Sequence, residues 1–136
     1  MKVIGLSGRA GCGKTLTLNI VYHELKKRGY EPVSGMLADL NNGDFLDILY
    51  NGIQTIGIVT QGDWPAGPYS LHGYLERLRA NGCFKAICAC RTKGGTKNSV
   101  KQYPDHTILR KTIVEGTVED ENIANRHDLS LILEKA

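Results

Sequence analysis

The sequence predicts a single α/β domain over residues 1–136, built as a three-layer sandwich around a mostly parallel sheet that includes a β-hairpin. Segments with the spacing of strands alternate with segments with the spacing of helices, the pattern of a layered α/β sheet. One pair of strand-like runs is separated by only Asn51-Gly52, which predicts the hairpin. The length of 136 residues is near the usual size of one domain, and 23% charged residues is well short of a disordered composition.

The first thirty residues predict a strand, a glycine-rich loop and a helix. Lys2–Ser7 is a short apolar run typical of a buried strand, and Lys14–Arg28 carries apolar residues at helical spacing. Gly29 is expected to end that helix in a left-handed conformation, and the basic residues 26–28 suit its negative end. The glycine-rich loop therefore lies between the end of a strand and the start of a helix.

The next segment predicts antiparallel structure. Pro32–Leu37 has the composition of a weaker strand, and Asn-Asn-Gly-Asp at 41–44 has that of a turn. Phe45–Tyr50 and Ile53–Thr60 are the two strands of the hairpin, and Asn51-Gly52 between them predicts a type I′ turn. An antiparallel pair is therefore expected to interrupt the alternation.

The remainder of the chain returns to alternating helices and strands. Ser70 is a suitable N-cap for a helix that Asn81-Gly82 would end. The later elements predicted in order are a strand at Phe84–Cys90, a short helix at Thr96–Gln102, a strand at Thr107–Val114 and a helix at Asn125–Lys135. Thr117 and Asn125 are both suitable caps, so the start of the last helix stays open between them.

Composition and charge exclude several classes of protein. No apolar run approaches the roughly 18 residues of a membrane span, and Met1–Leu6 leads into a glycine-rich loop rather than a long signal-type segment. The 17 Lys and Arg against 14 Asp and Glu leave a net charge of +3, which is too mild for a dedicated nucleic-acid binder. We expect a cytoplasmic protein with no membrane partner, and nucleic acid is not indicated as a partner.

Residues 8–15 carry the strongest functional signal in the sequence. They are Gly-Arg-Ala-Gly-Cys-Gly-Lys-Thr and match G-x-x-x-x-G-K-[ST] at every constrained position, between a predicted strand and a predicted helix. The glycines allow backbone N–H groups to turn inward as an anion nest, and the positive end of the helix points at the phosphates. Lys14 is expected to bridge the β- and γ-phosphate oxygens, and Thr15 to give its hydroxyl to Mg²⁺.

With this motif the chain resembles the P-loop NTPase superfamily, and the order of strands and helices is the rest of the resemblance. The resemblance implies that ATP and Mg²⁺ are the cofactors and that the γ-phosphate is cleaved. GTP is disfavoured because the sequence contains no N-K-x-D motif. The nucleotide-binding residues that it implies are Gly8, Arg9, Ala10, Gly11, Cys12, Gly13, Lys14, Thr15 and Leu16.

The resemblance also implies an acidic residue at the end of another strand, which holds the water shell of the metal beside Thr15. Asp63 is the predicted residue because it follows the second hairpin strand, whose end lies beside the glycine-rich loop if the two strands are parallel. Asp39, near the end of the second predicted strand, is the rival acid. Thr60 and Gln61 are secondary candidates for positioning an attacking water.

Arg91 is the predicted cation that offsets developing charge during phosphoryl transfer. It follows the Phe84–Cys90 strand, so the basic segment 91–97 is expected at the same sheet edge, with a solvated loop as the alternative interpretation. Residues 64–69 have a composition too broken for regular structure and are a candidate lid.

Three functions stay open. In an ATPase, Lys14, Asp63 and Arg91 would be the catalytic residues, water would accept the γ-phosphate, and a protein partner would use the energy. A nucleotide-sensing module would bind the triphosphate with little turnover. A small kinase, resembling the nucleoside and nucleotide kinases, would hold a second small-molecule substrate near residues 61–69, Asp39, Arg77 and Arg79.

Overall fold

The computed structural model describes residues 1–9, 11–62, 70–112 and 118–135, and this part of the chain forms an α/β fold with a mixed sheet of seven strands and four helices. The elements in chain order are β1 (Lys2–Ser7), α1 (Lys14–Lys27), β2 (Glu31–Pro32), β3 (Ala38–Asp39), β4 (Phe45–Tyr50), β5 (Thr55–Val59), α2 (Leu71–Ala80), β6 (Lys85–Cys90), α3 (Gly95–Lys101), β7 (His106–Arg110) and α4 (Val118–Lys135). None of the described helices is long and apolar enough to cross a membrane.

The sheet has a parallel half and an antiparallel half. Its strand order is β2-β4-β5-β6-β1-β7, and the short strand β3 also pairs with β4. The β5-β6, β6-β1 and β1-β7 pairs are parallel, whereas β4 runs antiparallel to β5 and to the two short strands. The parallel strands therefore end at one edge of the sheet, and the antiparallel strand β4 begins at that same edge.

Two hydrophobic clusters cover the two faces of the sheet. Ile4 and Leu6 of β1 belong to one cluster, and Val3 belongs to the other, because alternate side chains of a strand point to opposite faces. The helix residues of the first cluster are Leu18, Val21, Tyr22 and Leu25 of α1 with Leu129, Ile132 and Leu133 of α4. The helix residues of the second are Leu71, Tyr74, Leu75 and Leu78 of α2 with Val100 of α3. Each face of the sheet therefore packs against one pair of helices.

Local signals at the helix ends match the predictions. The backbone N–H of Gly73 donates a 3.0 Å hydrogen bond to Ser70 Oγ, which caps α2. Gly29 has a φ of 97°, and the N–H of Tyr30 returns to the carbonyl of Leu25 at 3.1 Å, so the chain leaves α1 through a left-handed residue. The strands β1 and β4 have the predicted bounds, and β6 and α3 differ from their predictions by one residue at the ends.

The second predicted strand, Pro32–Leu37, is wrong. Glu31–Pro32 pairs with the end of β4, and the N–H of Val33 donates to the carbonyl of Ile48 at 2.8 Å. A turn follows in which the N–H of Met36 donates to the carbonyl of Val33 at 3.2 Å. Gly35 has a φ of 79° within this turn, a conformation that no extended strand contains. The chain reverses there and pairs again at Ala38–Asp39, now with the start of β4.

The hairpin between β4 and β5 is present, but its two-residue type I′ turn is wrong. Tyr50 pairs with Thr55, so four residues form the loop, and of Asn51 and Gly52 only Gly52 has a positive φ, at 94°. The side-chain oxygen of Asn51 accepts hydrogen bonds from the N–H groups of Ile53 and Gln54 at 2.9 and 2.7 Å. Asn51 therefore acts as a side-chain cap for the loop, which a type I′ turn does not require.

The last helix begins earlier than residue 125. Because α4 starts at Val118, Asn125 lies inside the helix and does not cap it, while the alternative cap, Thr117, lies outside the described residues. Asn125 instead accepts a 3.0 Å hydrogen bond from Thr17 Oγ1 of α1. The strand predicted at Thr107–Val114 is described as far as residue 112 and forms β7 up to Arg110.

Candidate functional site

The loop between β1 and α1 turns on two glycines with positive φ, Gly11 at 74° and Gly13 at 92°. Residues with a Cβ are strained in this region, which explains why glycine is needed at both positions. No side chain of the described residues caps the first turn of α1. Its leading N–H groups, which have no partner within a helix, therefore remain as donors toward an anion.

The ammonium group of Lys14 lies folded over this loop. Lys14 is only 7% exposed, and its Nζ donates to the carbonyl oxygens of Gly8 at 2.5 Å and Arg9 at 3.2 Å. An ammonium group has three donors, so two of them hold the side chain in place and one remains. The side chain is thus positioned at the mouth of the loop.

An acidic residue lies next to Thr15, and it is Asp44. Thr15 Oγ1 donates a 2.9 Å hydrogen bond to Asp44 Oδ1, and Thr60 Oγ1 donates to the same oxygen at 2.8 Å. Thr60 is held in turn because its hydroxyl accepts a 2.9 Å bond from the N–H of Phe45. Two hydroxyls and one carboxylate therefore meet at a single point beside the loop.

The antiparallel direction of β4 brings Asp44 to this edge. Asp44 directly precedes Phe45, the first residue of β4, so it lies where the parallel strands end. The three residues before it all have positive φ: 73° at Asn41, 54° at Asn42 and 83° at Gly43. Such a run is unusual for residues with side chains, and strain of this kind collects at functional sites. The turn thus aims Asp44 at the loop.

A cleft of about 540 Å³ opens between the glycine loop, α1 and the start of β4. The described residues that line it are Gly11, Gly13, Lys14, Thr15, Leu16, Asn19, Gly43, Asp44, Thr60 and Gly62. The side chains of Thr15, Asp44 and Thr60 offer only oxygen atoms, the donors that a hard cation such as Mg²⁺ prefers. The donor set therefore fits a magnesium ion shared with phosphate oxygens.

A second hollow, of about 270 Å³, lies on the other side of the loop, against α4. Its walls are Arg9, Gly11, Cys12, Gly13 and Leu16 on the loop side, and Lys111, Thr112, Glu121, Ala124 and Asn125 on the other. Lys111 and Asp128 form an ion pair of 2.9 Å whose side chains are 3% and 1% exposed, and both Thr112 N and Thr112 Oγ1 donate to Asp128. This buried network holds the wall of the hollow in place.

The described loop residues surround the cleft and the second hollow. Gly11, Gly13, Lys14, Thr15 and Leu16 line the cleft, Arg9 and Cys12 line the second hollow, and Gly8 lies beneath Lys14 and Cys12. Ala10 lies outside the described residues, as do Asp63 and the candidate lid at 64–69.

The segment that leads to Asp63 has a tightly constrained path. Gly62 passes directly over the end of β6, where a Cβ would collide with the carbonyl oxygen of Ala89, so only glycine fits. Strand β5 runs in the same direction as β1, with β6 between them, as the prediction for Asp63 required. Thr60 and Gly62 both line the cleft. The described chain therefore reaches the cleft edge at Gly62, the residue before Asp63.

The other predicted residues lie apart from this cleft in the described structure. Asp39 is exposed, and its carboxylate accepts a 2.9 Å bond from the N–H of Asn41. Arg77 is exposed on α2, and Arg79 pairs with Glu76 at 2.7 Å. Arg91 follows β6, with its N–H bonded to Thr96 Oγ1 at 2.9 Å, and is not among the described residues that line the cleft.

Asp44 is the site residue that sequence reasoning missed, since it was assigned to a turn. A signal for it was present in the predicted hairpin. In a hairpin the residue before the first strand lies beside the residues after the second, so a cleft at the end of β5 also includes the residue before β4. The register of β4 with β5 therefore identifies Asp44, whereas motif matching does not.

Comparisons of the chain with protein-family models, with curated proteins and with solved structures gave no significant match. The chemistry of this sheet edge is therefore inferred from its own residues.

Proposed function

We propose that this chain is a P-loop NTPase that binds a nucleoside triphosphate, ATP in preference to GTP, together with Mg²⁺ and cleaves the γ-phosphate. One observation carries the proposal: Lys14 and Thr15, consecutive in the first turn of α1, face a cleft that Asp44 and Thr60 line from the opposite side. A cation, free amide donors and a carboxylate with hydroxyls in one cleft are the parts that phosphoryl transfer needs.

The cleft and the second hollow lie on either side of the loop and together provide room for a long ligand. The triphosphate lies over the loop, where the N–H groups of α1 and the ammonium of Lys14 offset its charge. The γ-phosphate would point toward Asp44 in the larger cleft, and the base and ribose would lie against α4 near Thr112 and Asn125. The loop glycines permit this close approach because no Cβ stands between backbone and phosphate.

Thr15 and Asp44 are the residues that would hold the metal. Asp63, which follows Gly62 at the cleft edge, remains a candidate for the same role. When bound, Mg²⁺ neutralises charge on the phosphate oxygens. Thr60 and Gln61 would orient the attacking water, a role supported by the position of Thr60 at the cleft wall with Gln61 directly after it. Arg91, at the end of β6 beside β1, remains the candidate cation for charge that develops on transfer.

The fold supports the same conclusion. The sheet lies between two helix pairs, and the glycine loop follows a strand that has parallel neighbours on both sides, which supports the proposed P-loop NTPase fold. The antiparallel strands β2, β3 and β4 would then be an addition to a mostly parallel core.

A binding assay and a phosphate-release assay on the purified chain test the proposal. ATP with Mg²⁺ is expected to bind saturably and to release phosphate without any added acceptor. Label transferred to a candidate small-molecule acceptor would support the kinase alternative, and tight binding without turnover would support the sensor. If no nucleotide binds at saturating concentrations, the proposal is wrong in all three forms.

A further inference from the structure

A third hollow, of about 440 Å³, opens on the face of the sheet that α2 and α3 cover. Its described lining consists of Ser7, Thr92 and Ile108 with three cationic side chains, Lys97, Lys101 and Arg110. We call it the basic hollow. It shares no lining residue with the cleft or with the hollow beside α4.

Strand register explains why these residues meet. Ser7, the last residue of β1, pairs with Cys90 on one side and with Arg110 on the other. Ile108 packs against the cluster of α2 and α3, and Arg110, two residues on, points to the same face. Lys97 and Lys101 come from α3, which lies over this part of the sheet. The basic hollow therefore lies directly beside Gly8, on the opposite side of the sheet from α1.

The charges of the basic hollow are not neutralised within the described chain. None of its described lining residues carries a carboxylate, and no hydrogen bond or ion pair among the described side chains engages Lys97, Lys101 or Arg110. A concave site lined by one sign of charge focuses the electric field and raises the local concentration of the opposite ion. Three cations around one hollow thus favour an anionic ligand.

The basic hollow is a neighbour of the glycine loop along the chain, and the charges of the two sites also act on the same buried group. Burial raises the pKa of the Cys90 thiol to about 11, while the charges of Lys14 and Lys97 act in the opposite direction. Both ammonium groups therefore lie within electrostatic reach of the same buried sulfur. Lys14 belongs to the glycine loop and Lys97 to the basic hollow, so anions bound at the two sites would be near neighbours.

We propose that the basic hollow binds the phosphate group of a second small molecule, distinct from the nucleoside triphosphate. The guanidinium of Arg110 offers paired donors that match two phosphate oxygens, and Lys97 and Lys101 add point charges. The hydroxyl of Thr92 supplies a neutral donor. A volume of about 440 Å³ lies within the range of roughly 300–1,000 Å³ for small-molecule pockets, which favours a compact phosphomonoester over a polymer. The inference goes beyond the proposed hydrolysis and does not depend on it.

The test is a titration with inorganic phosphate, followed by the amide NMR signals of the ¹⁵N-labelled chain. It uses a Lys14→Ala chain, in which the loop site is weakened, and the wild-type chain saturated with ATP and Mg²⁺. The critical variant is Lys101→Gln/Arg110→Gln, whose two residues are exposed, so folding is not at risk. Its control is Lys26→Gln/Lys27→Gln, which removes the same charge from the end of α1.

Saturable shifts at Thr92, Lys97 and Lys101 are expected in both backgrounds. The critical variant should lose affinity for phosphate by about tenfold or more for each charged contact removed, and the control should not. The proposal is overturned if the shifts are not saturable, if they occur only at residues 8–16, or if both double variants weaken binding equally. Failure of ATP to bind would contradict the proposed function and leave the result in the Lys14→Ala chain intact.

Discussion

Thr15 and Asp44 are 29 positions apart in the chain, yet Thr15 Oγ1 donates a 2.9 Å hydrogen bond to Asp44 Oδ1. The contact joins the first turn of α1 to the turn before β4, and Thr60, the residue after β5, donates to the same carboxylate oxygen. Three segments of the chain thus place hard oxygen donors at one point beside Lys14.

Asp44→Asn should lower phosphate release by about a hundredfold while changing the affinity for ATP without metal only slightly. The amide has the size of the carboxylate but lacks the charge that attracts Mg²⁺. A magnesium titration of turnover measures the effect. Asp39→Asn is the matched control, because Asp39 is exposed five residues away and an amide oxygen can still accept from Asn41 N. Equal activities of the two variants would remove Asp44 from the site.

Lys14→Ala should abolish detectable ATP binding, since it removes the only ammonium group among the described cleft-lining residues. Calorimetric titration with ATP and Mg²⁺ measures the loss. Lys27→Ala removes a lysine from the exposed last turn of the same helix and is expected to bind normally. A Lys14→Ala chain that binds ATP as tightly as the control would show that the loop is not the phosphate site.

Asp63→Ala should spare much of the ATP binding and abolish turnover, because its proposed role is to hold the metal's water shell. Binding and phosphate release measured on the same preparation separate the two effects. The Asp44→Asn chain provides the comparison, since both residues are proposed to serve one metal. Unchanged turnover in the Asp63→Ala chain would leave Asp44 as the acid at this edge.

Asp128→Ala should lower the free energy of unfolding by about 3–5 kcal/mol, because it leaves the buried charge of Lys111 without its partner. Urea unfolding followed by circular dichroism measures this. Glu24→Ala breaks the exposed pair with Arg28 and is expected to cost at most about 1 kcal/mol. Similar losses in the two variants would mean that the buried ion pair does not stabilise the fold.

Tyr22→Phe should lower the free energy of unfolding by about 1–3 kcal/mol near neutral pH, because Tyr22 donates a 2.7 Å hydrogen bond to the fully buried Asp47. Burial, with the bond to Asp47, raises the pKa of Tyr22 to about 12 from its usual value near 10.

The stabilisation by Tyr22 is therefore complete below pH 10 and is lost between about pH 10 and 12, where the unfolded chain ionises first. Unfolding curves of the wild type and Tyr22→Phe should converge over that range. The exposed Tyr50 offers the control Tyr50→Phe, which should show no such convergence. A difference that stays constant with pH would contradict the assignment.

Local chemistry allowed much of this fold to be predicted. The apolar run of β1, the Ser70 cap and the glycine after α1 are decided within a few residues, so the sequence alone indicates them. The prediction of a strand at Pro32–Leu37 was wrong because its pairing depends on where β4 lies and on the turn at Gly35. The prediction of a type I′ turn at Asn51-Gly52 was wrong because the side chain of Asn51 competes with the backbone for the loop N–H groups.

Some residues of the candidate site could likewise be predicted from local sequence, and others could not. The loop residues follow from a local motif, so their grouping around Lys14 could be predicted. Asp44 could not be found by a motif because its place depends on antiparallel register with β5 and on three consecutive left-handed residues. Arg91 lies at the predicted sheet edge, but the register of Ser7 with Arg110 brings a different arginine next to β1.

The ion pair between Lys111 and Asp128 ties α4 to the wall of the hollow beside the glycine loop. A shortened version of this protein, cut before Val118, would leave Lys111 without its carboxylate partner and would remove one wall of that hollow. Engineers who wish to transplant the loop should therefore move it together with α4.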